Sequence, residues 1–95
     1  MTIKDVKADR KGNWLAAKYE VKGKIVGDRI QGAWVRVYDK NGKMINNVSI
    51  RIGRDGNFKE EFTGSWLGFV SATAFIEVEG PRGQFEKQRF VLPAG

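Results

Sequence analysis

The chain has 95 residues, a formal net charge of +6 at pH 7, and neither cysteine nor histidine. That length builds one domain around one modest core, and 41% hydrophobic with 12% aromatic residues is the composition of a folded chain. Without Cys there is no disulfide framework or thiolate metal site; without His the commonest general base, the usual nucleophilic triads and the usual zinc ligand are missing.

In chain order, a short strand is predicted at Ile3–Lys7. Next, Leu15, Ala17, Tyr19, Val21 and Ile25 share one parity, while Lys18, Glu20, Lys22 and Lys24 share the other. A period of two places one face inside and one in water. After the loop Gly27-Asp28-Arg29-Ile30-Gln31, Ala33, Val35 and Val37 resume the pattern. Val48, Ile50 and Ile52 form another such face, followed by Phe58 and Phe62. Val70, Ala72, Ala74, Ile76 and Val78 make the longest run, and Phe90 and Leu92 close the chain. Seven short strands and no helical period point to an all-β sandwich or barrel.

Three compact loops place glycine third: Lys40-Asn41-Gly42, Arg54-Asp55-Gly56 and Pro81-Arg82-Gly83. A hairpin of this kind combines a type I turn with a left-handed residue, a conformation glycine takes without a Cβ clash. Around Pro81-Arg82-Gly83 the bulged register sets Ala74 against Phe90, Glu77 against Lys87 and Phe75 against Arg89, which are favourable cross-strand pairs. The same rule around Arg54-Asp55-Gly56 pairs Ile52 with Phe58 and Val48 with Phe62. It also sets Arg51 beside Lys59, so this hairpin is the weakest of the three.

Gly23-Lys24-Ile25-Val26-Gly27, Gly32-Ala33-Trp34-Val35-Arg36-Val37-Tyr38-Asp39 and Arg54-Asp55-Gly56-Asn57-Phe58 together resemble carboxypeptidase-regulatory-like and transthyretin-like modules. The seven strands, with a long sixth, are also similar to fibronectin type III and other immunoglobulin-like domains. The resemblance covers about residues 21–92 and rests on turn and core positions. It implies a seven-stranded antiparallel immunoglobulin-like β-sandwich that spaces or docks other domains and brings no catalytic residue, while the length makes residues 1–95 a single domain. Departures are present: the chain lacks the Cys pair of immunoglobulin domains proper, Phe69 stands where a tyrosine corner needs a hydroxyl, and Gln84–Leu92 contains no Asn or Asp for a pilin-type crosslink.

Candidate sites follow from the outward parity. Trp34, Arg36 and Tyr38 face away from the core, on the same kind of wet face as Lys18, Lys22 and Lys24. Aromatics interleaved with cations suit a single-stranded nucleic acid or anionic glycan; the alternative is a sheet surface covered by a loop or neighbouring domain, or Trp34 in the core. Gly64-Ser65-Trp66-Leu67-Gly68-Phe69 is an unusually apolar connection: Trp66 is either a docking contact or a plug for the open end of the sandwich. Trp14 is expected to pack at a strand start. Asp28, Asp39, Asp55, Glu60 and Glu61 offer carboxylates one at a time, whereas Ca²⁺ takes six to eight oxygens, so they read as turn formers and surface charges. No metal and no cofactor is expected.

Charge is uneven: residues 1–47 hold eleven basic and five acidic side chains, residues 48–95 six and six. No segment reaches the ~18 consecutive apolar residues a spanning helix needs, and no apolar signal segment opens the sequence. The expectation is a non-catalytic structural or protein-interaction module, partnered by a neighbouring domain or protein, in a larger cell-surface or secreted chain. A chain truly starting at Met1 would instead be intracellular. The alternative function is binding an anionic polymer or glycan through Trp34, Arg36, Tyr38 and the Lys face.

Overall fold

The computed structural model of the chain describes residues 1–12, 16–64 and 71–93. Within them run seven strands: β1 (Thr2–Gly12), β2 (Ala17–Val26), β3 (Gly32–Tyr38), β4 (Met44–Ser49), β5 (Asn57–Gly64), β6 (Thr73–Glu79) and β7 (Phe85–Phe90). They form two antiparallel sheets, one ordered β1-β2-β5 and the other β4-β3-β6-β7. The sheets face each other across the core. Tyr19, Val21, Ile25, Phe58 and Phe62 enter it from the first; Ala33, Val35, Val37, Ala74, Ile76, Val78 and Phe90 enter from the second. Tyr19 and Phe62 stack at 5.4 Å between centroids. Burying these alternate residues stabilises each strand, because a one-residue slip would move its whole apolar set into water.

The predicted parity holds wherever it can be compared. Around Pro81-Arg82-Gly83 the register is the expected one, with Ala74 opposite Phe90, Phe75 opposite Arg89 and Glu77 opposite Lys87. The turn itself differs from a type I turn with one left-handed residue. Arg82 (φ 59°) and Gly83 (φ 75°) are both left-handed, and the segment forms a single 3₁₀ turn. Gly42 and Gly56 are left-handed too. Asp39 holds the first of these loops, its Oδ1 accepting from the backbone N–H of Asn41 (2.9 Å) and Lys43 (2.8 Å).

Two expectations are corrected. Strand β1 is far longer than Ile3–Lys7: as an edge strand with no fully buried residue, it carries little apolar alternation to read. The hairpin around Arg54-Asp55-Gly56 does not form either, because β5 pairs with β2 while β4 pairs with β3. The turn closes locally, Gly53 N–H donating to the Asn57 carbonyl at 2.8 Å. Its two ends are then taken by different sheets: Ile50 N–H donates to the Ala33 carbonyl (2.8 Å), and Ile25 N–H to the Gly56 carbonyl (2.8 Å). Separating β4 from β5 also removes the Arg51–Lys59 pairing.

Candidate interaction surfaces on the two outer faces

With Ala33, Val35 and Val37 inside, β3 turns Trp34, Arg36 and Tyr38 outward, and all three are half-buried on the outer face of the four-stranded sheet. The register places Glu77 beside Trp34 and Phe75 beside Arg36. Glu77 is the one buried charged residue among the described residues, 3% exposed. Arg36 Nη1 donates to its Oε1 at 3.0 Å, and the Tyr38 hydroxyl donates to Oε2. Arg36 Nε also donates to Asn47 Oδ1 at 3.1 Å.

Rings close over this network. The Arg36 guanidinium lies 4.4 Å from the Trp34 ring centroid. The indole lies over Gly32, where a Cβ would come within 2.7 Å of a ring carbon, so glycine is what lets it lie there. Tyr38 meets Phe75 edge to face at 5.9 Å. Lys87, instead of pairing with Glu77, sets its ammonium 4.4 Å over the Phe75 ring. The cation on Phe75 is therefore Lys87 rather than the Arg89 opposite it, because Glu77 is taken by Arg36 and Tyr38. Burial first, then the bond to Glu77, pushes the Tyr38 hydroxyl above its ordinary pKa.

Lys18, Lys22 and Lys24 project from β2 on the outer face of the other sheet. The structure thus gathers Trp34, Arg36 and Tyr38 on one side of the sandwich and the lysines on the other. It does not build one aromatic and basic face from all six. Lys18 pairs with Glu61 at 2.9 Å. That hydrogen bond and charge raise the Lys18 pKa and lower that of Glu61. Trp14, Leu15 and Trp66 lie outside the described residues, as does the apolar connection around Trp66.

Glu77 is the central group that sequence reasoning passed over, having read it only as a partner for Lys87. Its signal was an acid at an outward position inside the most apolar run of the chain. Interpreting it required the β3–β6 pairing, which joins residues about forty apart.

An all-β domain of two antiparallel sheets with a compact polar and aromatic cluster on one face is thus defined. No family profile and no curated protein matches the chain. Among solved structures it is similar to part of the catalytic module of the multi-modular glycogen-degrading pneumococcal virulence factor SpuA. That likeness has a TM-score of 0.52 and 20% identity, over 87% of this chain and 12% of that one. The same module in complex with an inhibitor gives the same values. The likeness is one of fold, and the chain spans about an eighth of the matched chain's length.

Proposed function

We propose that this domain is a non-catalytic immunoglobulin-like module of a longer cell-surface or secreted protein, docking a neighbouring domain on its four-stranded sheet. The strand order supports the immunoglobulin-like reading. Taking β1, β2, β3, β5, β6 and β7 as strands A, B, C, E, F and G puts A, B and E in one sheet and C, F and G in the other. Strand β4 then extends the second sheet beside strand C. The likeness to a small part of a multi-modular protein supports an accessory role.

The observation that carries the docking reading is the buried Glu77 holding Arg36 and Tyr38 in place, with Trp34 and Phe75 alongside. Trp, Tyr and Arg dominate the energetics of interfaces. Side chains already fixed by a network lose less entropy when a partner arrives. A sugar-stacking role suits this face less, since the Arg36 guanidinium already occupies one side of the indole.

Hydroxyl-radical footprinting of the natural protein in intact cells, set against the purified domain, tests the reading. Trp34 and Tyr38 should be oxidised several-fold more slowly in the cell-borne protein, while Phe85, half-exposed on β7, should not change. Equal oxidation of Trp34 in both samples would end the proposal.

A further inference from the structure

The outer face of the three-stranded sheet is ordered in bands. Across the strands run Lys11 and Lys18 with Thr63; then Asp9, Glu20 and Glu61; then Lys7, Lys22 and Lys59; then Lys4 and Lys24 with Asn57. Each band sets like charges directly opposite one another, which is destabilising in itself. The two glutamates of the acidic band are paired diagonally: Glu61 takes Lys18 at 2.9 Å, and Glu20 takes Lys59 at 3.6 Å. Lys4, Lys7, Lys22 and Lys24 form no ion pair among the described residues. They sit together at the end of the face beyond the last acidic band.

This grouping is built by a backbone irregularity. Lys4 and Lys7 have opposite parity and in a regular strand would point to opposite sides. One extra residue in β1 between Lys4 and Lys7 turns both outward. Asp5, within that bulge, is held at φ 57°, a conformation that costs a non-glycine residue free energy. Bulges commonly re-aim side chains at functional positions. Beside the bulge, Lys7, Lys22, Lys24 and Lys59 border a shallow depression of about 300 Å³, with Asp5 as the single acid on its rim among the described residues.

We propose that this end of the three-stranded sheet is a binding site for an oxyanion-bearing polysaccharide, with Lys4, Lys7, Lys22, Lys24 and Lys59 as its cationic contacts. Neighbouring strands lie about 4.8 Å apart, so the five ammonium groups cover a patch roughly 10 Å across. A chain carrying sulfate or carboxylate groups can bridge such a patch and relieve the repulsion within it. Single-stranded nucleic acid fits less well. The aromatics of β2 and β5 (Tyr19, Phe58 and Phe62) are all buried in the core, and no described outward position on this sheet offers a ring on which a base could stack. An anionic membrane fits less well too. Its stable binding takes a second, apolar signal, and among the described residues Val26 is the only exposed large hydrophobic on this face. The site lies on the other sheet from Trp34 and does not rest on the docking reading.

The test is calorimetric titration of the purified domain with heparin and with polyglucuronate at low salt. Binding should appear for at least one of the two and weaken as salt is added. The triple variant Lys7→Gln, Lys22→Gln, Lys24→Gln should weaken it about tenfold or more, as loss of several ionic contacts does for polyanions generally. A control removing the same charge elsewhere, Lys40→Gln, Lys43→Gln, Arg54→Gln, should change affinity less than about twofold, as should Trp34→Ala. If the triple variant unfolds, Lys22→Gln alone must weaken binding in the same direction. Three results would overturn the proposal: no binding of either polysaccharide, equal losses in both triple variants, or tighter binding to single-stranded DNA or phosphatidylserine vesicles at matched charge.

Discussion

Glu77 shows how one side chain organises a surface. A carboxylate taken out of water is costly unless its oxygens are bonded; here Arg36 serves one oxygen and Tyr38 the other. Both donors are thereby fixed, and through Arg36 the indole of Trp34 is fixed as well. The Tyr38 bond has a pH signature. Since the hydroxyl's pKa is raised above 10.0 by burial and by Glu77, the folded state holds the phenolic proton more tightly than the unfolded chain does. Its stabilising contribution is complete below pH 10.0 and is lost as pH climbs through the folded value. Tyr38→Phe should cost about 1.5 kcal/mol near neutrality, the loss of a hydrogen bond to a charged acceptor. It should also flatten the alkaline decline in the urea midpoint that sets in above pH 10.0.

Among the elements, the connections carry as much information as the strands. Gly42 and Gly56 occupy equivalent places in two similar loops, both left-handed, yet their surroundings differ. A Cβ on Gly42 would meet nothing within 4 Å, whereas on Gly56 it would fall 2.6 Å from the Ile25 carbonyl oxygen. That carbonyl belongs to the strand against which the loop crosses from one sheet to the other. Gly42→Ala should therefore cost about 1 kcal/mol, the penalty of the left-handed backbone alone. Gly56→Ala should cost about 3 kcal/mol or more, because the clash is with main chain and adds to that penalty. Denaturant midpoints of the two variants measure the difference directly.

At the scale of the molecule, what could be read in the sequence was whatever lay close along the chain. The alternation of Ala17–Ile25, Ala33–Val37 and Ala74–Val78 fixed inside and outside. The Pro81-Arg82-Gly83 turn fixed the register of β6 on β7, since both partners flank a single loop. The β4–β5 hairpin misled because Gly53–Asn57 has the chemistry of a closed turn, while the choice of sheet is made by Ala33 and Ile25, residues far off in sequence. The division of Trp34 from the lysines was hidden for the same reason: parity tells inward from outward but not which of two layers a strand joins.

The lysine bands also bear on the stability of the whole domain. Raising ionic strength from about 0.01 M to 0.15 M shortens the screening length from about 30 Å to about 8 Å. The melting temperature should rise by about 2–4 °C, since relief of about 0.5 kcal/mol moves a domain of this size by that much. Lys7→Gln with Lys22→Gln should melt higher than the parent at low salt and respond less to added salt. A melting temperature that fell with salt would contradict the repulsion inferred for this face.

The banding has a kinetic consequence as well. Sliding β1 past β2 by two residues would keep every apolar side chain on its own side, yet Asp9 would then meet Lys22 and Lys11 would meet Glu20. Coulombic preference thus favours a mis-threaded ladder over the native one. The bulge at Asp5, which belongs to the native register, must overrule it. A chain collapsing in dilute buffer has this decoy close at hand and must unzip it to proceed. Refolding should therefore show a lagging fraction that shrinks as electrolyte is added.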